Sequence, residues 1–280
     1  MDSLVTTDWL AGEMVSGDLR IVDASYHLPA AGRDAAAEYE AAHIPGAVFL
    51  DLASLVDAAA PVENTLPPPE TFARRMGELG IGEHDRIVVY DDSEVKTAAR
   101  AWFMLRMFGA QRTAILDGGL AKWKAEGRPL SSGRQSPPHA RFSAQAAGGR
   151  VRSKADLIGN LASGAEQVVD ARGAPRFTGE EPETRPGIAS GHIPGSLNLP
   201  YKQLFDADGT FRDTDGLRGA FAAAGVDLSS PVVTTCGSGV TACVLAFAMH
   251  LLGKVDFALY DGSWTEWGAD PQTPKATGAT

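Results

Sequence analysis

A chain of 280 residues, 44% hydrophobic and 21% charged, has enough apolar material for one large globular domain or two of ordinary size. Its formal charge of −10 repels nucleic acid and anionic membranes over most of the surface, so neither is expected as a partner, while a local basic pocket can still take a small anion. The opening MDSLVTTDWLAGEM has no basic leader, and no stretch approaches ~18 continuous apolar residues, so neither a secretory signal nor a membrane span is expected. The two cysteines, Cys236 and Cys243, form no CxxC pair and fit a reducing cytoplasm.

Short apolar runs alternate with helical patterns along the chain. RIVDAS (20–25) reads as a strand, AAEYEAAH (36–43) as a helix, AVFLDL (47–52) as a strand and PETFARRMGELG (69–80) as a helix. RIVVYDD (86–92), the helix KTAARAWFMLRMFG (96–109), TAILDG (113–118) and the helix LAKWKAEG (120–127) complete a first half. The second half offers strands at QVVDAR (167–172), GSLNLP (195–200), PVVTTC (231–236) and DFALYDG (256–262). Its helices fall at SKADLIGNLAS (153–163), DGLRGAFAAAG (215–225) and GVTACVLAFAMHLLG (239–253). Such alternation predicts an α/β fold whose sheets are mostly parallel and flanked by helices.

The chain also repeats itself. AHIPGAVFLD (42–51) returns as GHIPGSLNLP (191–200), AILDGGLAKW (114–123) as ALYDGSWTEW (258–267), and IVDASY (21–26) as VVDARG (168–173). Three blocks in one order, at a nearly constant offset of about 145 residues, predict tandem copies of one domain. The Ser-, Pro-, Gly- and Ala-rich stretch 131–150 separates them. The expected organisation is a first domain over 1–135, a linker over 136–150, a second domain over 151–268 and a flexible tail over 269–280.

Between a strand and an apolar helix stands Cys236-Gly237-Ser238-Gly239-Val240-Thr241, with the helix expected to start near Gly239 or Val240. The ends of parallel strands are where α/β folds place ligands. The two glycines let successive N–H groups curl around a sulfur, and a helix N-terminus adds partial positive charge, so the setting favours a nucleophilic thiolate. Cys243, inside the helix, reads as an ordinary buried cysteine. The matching turn of the first copy, VVYDDSEVKT (88–97), offers Asp91 or Asp92 in place of the sulfur and no nucleophile.

These motifs resemble the two-domain rhodanese-fold sulfurtransferases over residues 19–267, so the expected fold is a pair of tandem rhodanese-like domains. The loop Cys236–Thr241 is similar to that of the family's 3-mercaptopyruvate sulfurtransferases, whereas thiosulfate-preferring members carry Arg-Lys where Gly237 and Ser238 stand. The resemblance implies sulfur transfer from 3-mercaptopyruvate through a Cys236 persulfide to a thiol, thioredoxin or cyanide, by a monomer that needs no cofactor. It further implies that Arg176 and Arg185, in RFTGEEPETRPG (176–187), bind the substrate's carboxylate and keto oxygens, a task suited to guanidinium forks. Ser238 would work with a histidine and an aspartate of the first domain, for which His43 and Asp34 fit. His192, in the second copy of the motif, reads as fastening a turn. The alternative role for the arginines is neutralising Glu180, Glu181 and Glu183 on a solvated loop.

Two other functional classes fit these residues less well. A phosphatase would need an arginine closing a C-x5-R loop, and Ala242 stands there. A binding module without catalysis would not require an intact cysteine loop with both arginines. His27, His84, His139 and His250 show no metal-ligand spacing, so no metal is expected.

Overall fold

A computed structural model describes residues 1–145, 149–183 and 185–279. The chain divides into two compact units. One comprises Met1–Ala58, Leu66–Ala147 and Ala207–Thr210, the other Ala59–Thr65, Gly148–Asp206 and Phe211–Thr280.

The first unit runs β1 (Leu4–Val5), α1 (Thr7–Glu13), β2 (Leu19–Asp23), α2 (Ala35–Ala41), β3 (Ala47–Phe49), α3 (Pro69–Glu78), β4 (Arg86–Tyr90), α4 (Ala98–Met107), β5 (Thr113–Leu116) and α5 (Gly119–Ala125). The second runs β6 (Val151–Arg152), α6 (Lys154–Ser163), β7 (Gln167–Asp170), α7 (Ala174–Thr178), β8 (Leu197–Asn198), α8 (Thr214–Ala223), β9 (Val232–Thr235), α9 (Ala242–Leu251), β10 (Phe257–Tyr260) and α10 (Ser263–Trp267). The sheets have the orders β1-β5-β4-β2-β3 and β6-β10-β9-β7-β8, with every named pair parallel. An identical strand order in both units is the structural form of the sequence repeat.

The central strands β4 and β9 are buried along nearly their whole length, which is why their sequences are continuous apolar or β-branched runs. The helices that follow them are apolar nearly all round for the same reason: Ala242–Met249 of α9 are all buried. α9 starts at Ala242, after Thr241, so the six residues from Cys236 to Thr241 form a loop ahead of the helix rather than its first turn.

The tail expected to be flexible is instead a strap on the second unit. Its Ala276 exchanges two backbone hydrogen bonds with His192, at 2.9 and 3.0 Å, and Trp267 Nε1 donates to Pro274 O at 2.8 Å. Gly278 N–H donates to Thr178 O at the end of α7. The first unit has the same strap: His43 and Ser131 exchange backbone bonds and Trp123 Nε1 donates to Pro129 O. The tail is therefore part of the repeat, and the low-complexity composition of PQTPKATGAT hid it because its bonds to His192 and Thr178 are made by backbone. The stretch expected as a linker also packs where it is described. Phe142 is buried edge-on to Phe72 of α3, and Ala140 N–H donates to Gly77 O. Residues 146–148 lie outside the described residues.

Candidate active site

Cys236 follows the last residue of β9 and is buried, 1% exposed. Three residues at the start of α10 hold it. Cys236 N–H donates to Ser263 Oγ at 3.2 Å, Trp264 N–H donates to Cys236 O at 3.0 Å, and Thr265 donates to Gly237 O through both its N–H (2.9 Å) and its hydroxyl (2.6 Å). Ser263 has φ +49°, a left-handed conformation that a non-glycine residue adopts at a cost, whereas Gly119 fills the same place in the first unit at φ +58°. The serine is there because its hydroxyl, itself donating to Tyr260 O, satisfies the buried amide of Cys236. Gly239, at φ +76°, turns the loop back toward α9. Gly237 and Ser238 are partly exposed and form the mouth.

The first unit identifies which aspartate replaces the sulfur. Leu120 N–H donates to Asp91 O at 3.0 Å, as Trp264 N–H does to Cys236 O, so Asp91 is the equivalent residue. Its carboxylate accepts from Ser93 N–H (3.0 Å) and Ala98 N–H (2.6 Å), the amides of the turn and of the α4 N-terminus. The same turn in this chain thus holds an anionic side chain on backbone amides. Asp92 lies outside it, within 3.3 Å of Arg33 and 3.5 Å of Lys124.

Arg176 lies on α7, a five-residue helix with Pro175 in its first turn and left-handed Gly179 (φ +82°) at its end. Arg185 follows on the next loop. Both guanidiniums face the cysteine loop: a side-chain carbon at Gly237 would stand 3.5 Å from Arg185 Nη2 and 3.7 Å from Arg176 Nη2. Glu183 joins the two. Its Oε2 accepts from Arg176 Nη2 at 2.6 Å and its Oε1 from Arg185 Nε at 3.1 Å. Arg185 Nη1 also donates to the Thr265 hydroxyl that anchors Gly237. Burial pushes the Glu183 carboxyl up, but the hydrogen bonds from Arg176 and Arg185 outweigh it and leave it below the ordinary carboxylate range. The arginines are therefore gathered at the loop rather than spread over Glu180 and Glu181.

Beneath the site, Asp170 and Arg172 form a buried pair, bonded through Arg172 Nε and Nη2. Arg172 also donates to Gly191 O and lies 4.6 Å from the Trp264 ring centre, bracing the segment that holds Cys236. The first unit has Ser25 in this place and no such brace: Ser25 N–H binds Asp23 Oδ1 as Arg172 N–H binds Asp170 Oδ1.

The pairing expected of Asp34 and His43 is not formed. Asp34 is the N-cap of α2, its Oδ1 accepting from Ala36 and Ala37 N–H. His43 is fully buried, stacked on Tyr39 with ring centres 4.2 Å apart, and its Nδ1 is 2.7 Å from Tyr39 O. His192 repeats this arrangement on Phe177, at 3.8 Å and 2.8 Å. Both histidines fasten the same turn in their own units. Sequence reasoning named Glu183 only as one of three acids the arginines could neutralise, a pairing that the structure forms with Glu183, and it missed Ser263 and Thr265. One signal for Ser263 was available, a serine at the position where the first copy of the repeat has Gly119.

The family model for the rhodanese-like domain matches twice, over residues 6–126 and 153–270. The chain belongs to the rhodanese family. Over 271 residues it is 43% identical to 3-mercaptopyruvate sulfurtransferase of Homo sapiens, covering 95% of this chain and 91% of that protein. It is also 40% identical over 285 residues to thiosulfate sulfurtransferase of Cricetulus griseus, covering 99% and 96%. The crystal structure of a 3-mercaptopyruvate sulfotransferase from Escherichia coli superposes with a TM-score of 0.86 at 39% identity, over 94% of this chain and 99% of that one. Among the described residues no helix is long and apolar enough to cross a membrane, and no group of three or more His, Cys, Asp or Glu is arranged to hold a metal ion.

Proposed function

We propose that the chain is a sulfurtransferase that takes the sulfur of 3-mercaptopyruvate onto Cys236 and passes it to a thiol, thioredoxin or cyanide. The observation that carries this reading is the arginine pair facing a cysteine loop that itself bears no cation. A 2-oxo carboxylate held by Arg176 and Arg185 has its negative charge a few atoms from its sulfur, which suits guanidiniums set to one side of Cys236. Thiosulfate carries its charge beside the transferred sulfur, and Gly237 and Ser238 offer it none.

The Cys236 thiolate attacks the substrate sulfur. An S–S bond forms as the C–S bond breaks, and the electron pair leaves with the enolate of pyruvate, which takes a proton at carbon. The enzyme is left as a persulfide, and its outer sulfur goes to the acceptor in a second displacement, giving ping-pong kinetics. Loop amides would stabilise both sulfur anions, as two backbone amides bond the Asp91 carboxylate against the opposing effect of its burial. The Ser238 hydroxyl, at the mouth, is the proposed proton relay to the enolate. Asp34 and His43, engaged in capping and turn fastening, take no step in it. The cycle requires no cofactor, and a reducing cytoplasm keeps both free thiols available.

Initial rates with 3-mercaptopyruvate and with thiosulfate, cyanide being the common acceptor, test the reading. The expected result is a mercaptopyruvate preference and a loss of about 10³-fold or more in Cys236→Ser. A thiosulfate preference would overturn the substrate assignment, and turnover of neither would leave a binding module.

A further inference from the structure

The arginines beside Cys236 form a three-charge cluster rather than a bare cationic pair. Glu183 is nearly buried, with 3% of its side chain exposed, while Arg176 and Arg185 keep 33% and 31% of theirs open. Each carboxylate oxygen takes one guanidinium, so the outward-facing donors belong to a site of two cations and one anion. Thr265, the other side chain on Arg185, is neutral. The net charge of this arginine–glutamate cluster is therefore one positive unit.

That charge matches a ligand bearing one carboxylate and is poorly matched to a compact dianion. We propose that Glu183 is a specificity-determining residue: by cancelling one of the two positive charges at the cysteine loop it tunes the site to a monoanionic 2-oxo acid and against thiosulfate. This rests on the sulfur-transfer reading above. Glu183 acts through the arginines and touches no reacting atom, so it positions and discriminates rather than catalyses. A purely structural role would make its loss depress both substrates alike. With a charge-setting role the two instead move apart, because removing one negative charge helps a dianion more than a monoanion.

The experiment is kcat/KM for 3-mercaptopyruvate and for thiosulfate, with cyanide as acceptor, in the wild type and in Glu183→Gln, Glu183→Met and Glu183→Asp. Two neutral variants are included so that a folding failure in one leaves the other to read. In either neutral variant the thiosulfate-to-mercaptopyruvate ratio is expected to rise about tenfold, with thiosulfate kcat/KM itself increasing. Glu183→Asp keeps the charge, so its ratio stays near the wild-type value even where both rates fall. Parallel losses in the neutral variants, or an equal change of ratio in Glu183→Asp, would overturn the proposal. Wild-type turnover of thiosulfate without mercaptopyruvate would instead overturn the function on which it rests.

Discussion

Burial pushes the Asp91 carboxyl up to about 6, against the backbone N–H groups of Ala98 and Ser93 that pull it down. An aspartate whose folded pKa lies above its unfolded one favours the fold most below the unfolded value. The contribution is lost as pH rises through about 6, by about 3 kcal/mol in all. Asp91→Asn removes this dependence. Urea unfolding from about pH 4 to about pH 7 is expected to show the variant gaining on the wild type as pH rises, and parallel profiles would contradict it. The residue also shows where reading by pattern stops. Asp91 and Asp92 are adjacent in sequence and only the backbone bond from Leu120 separates them. Cys236 was legible because glycines flank it between a strand and a helix. Arg176 and Arg185 were legible only through the family resemblance. Glu183, in the same short segment, reads as one more surface acid until its two guanidiniums are placed.

At the scale of elements, the straps carry the clearest consequence. The segment after Trp267 holds His192 by two backbone bonds, caps the Trp267 ring nitrogen and ties Thr178 at the end of the helix bearing Arg176. Deleting residues from Asp270 onward therefore exposes buried donors and loosens α7. It is expected to lower second-unit stability by about 3 kcal/mol or more, read as an earlier urea transition, and to raise KM for the 2-oxo acid. A truncated chain with unchanged midpoint and KM would mean that the strap bears nothing. The long elements were legible because burial writes itself as periodicity: continuous apolar runs for β4 and β9, an all-round apolar face for α9. The two-residue strands β1 and β6 were not, since each exists only by pairing with the edge of β5 or β10. α7 was missed for a related reason, being five residues set by Pro175 and Gly179 rather than by an apolar stripe.

In the whole molecule, one architecture is used twice with different contents. Both units share strand order, the turn fastened by histidine and the strap, and the histidine turn lies in a repeated sequence block. Among the differences are groups at the site: cysteine for Asp91, a strained serine for Gly119, an arginine braced on Asp170 where the first unit has Ser25, and the Arg176–Glu183–Arg185 cluster. In the proposed cycle Cys236 carries the transferred sulfur covalently. This is tested most directly by intact-mass measurement of the protein after exposure to 3-mercaptopyruvate without an acceptor. The expected result is a gain of one sulfur atom, located to the peptide containing Cys236, absent in Cys236→Ser and removed by cyanide with thiocyanate formed. Pyruvate release without any mass gain, or an undiminished gain in the Cys236→Ser chain, would contradict it.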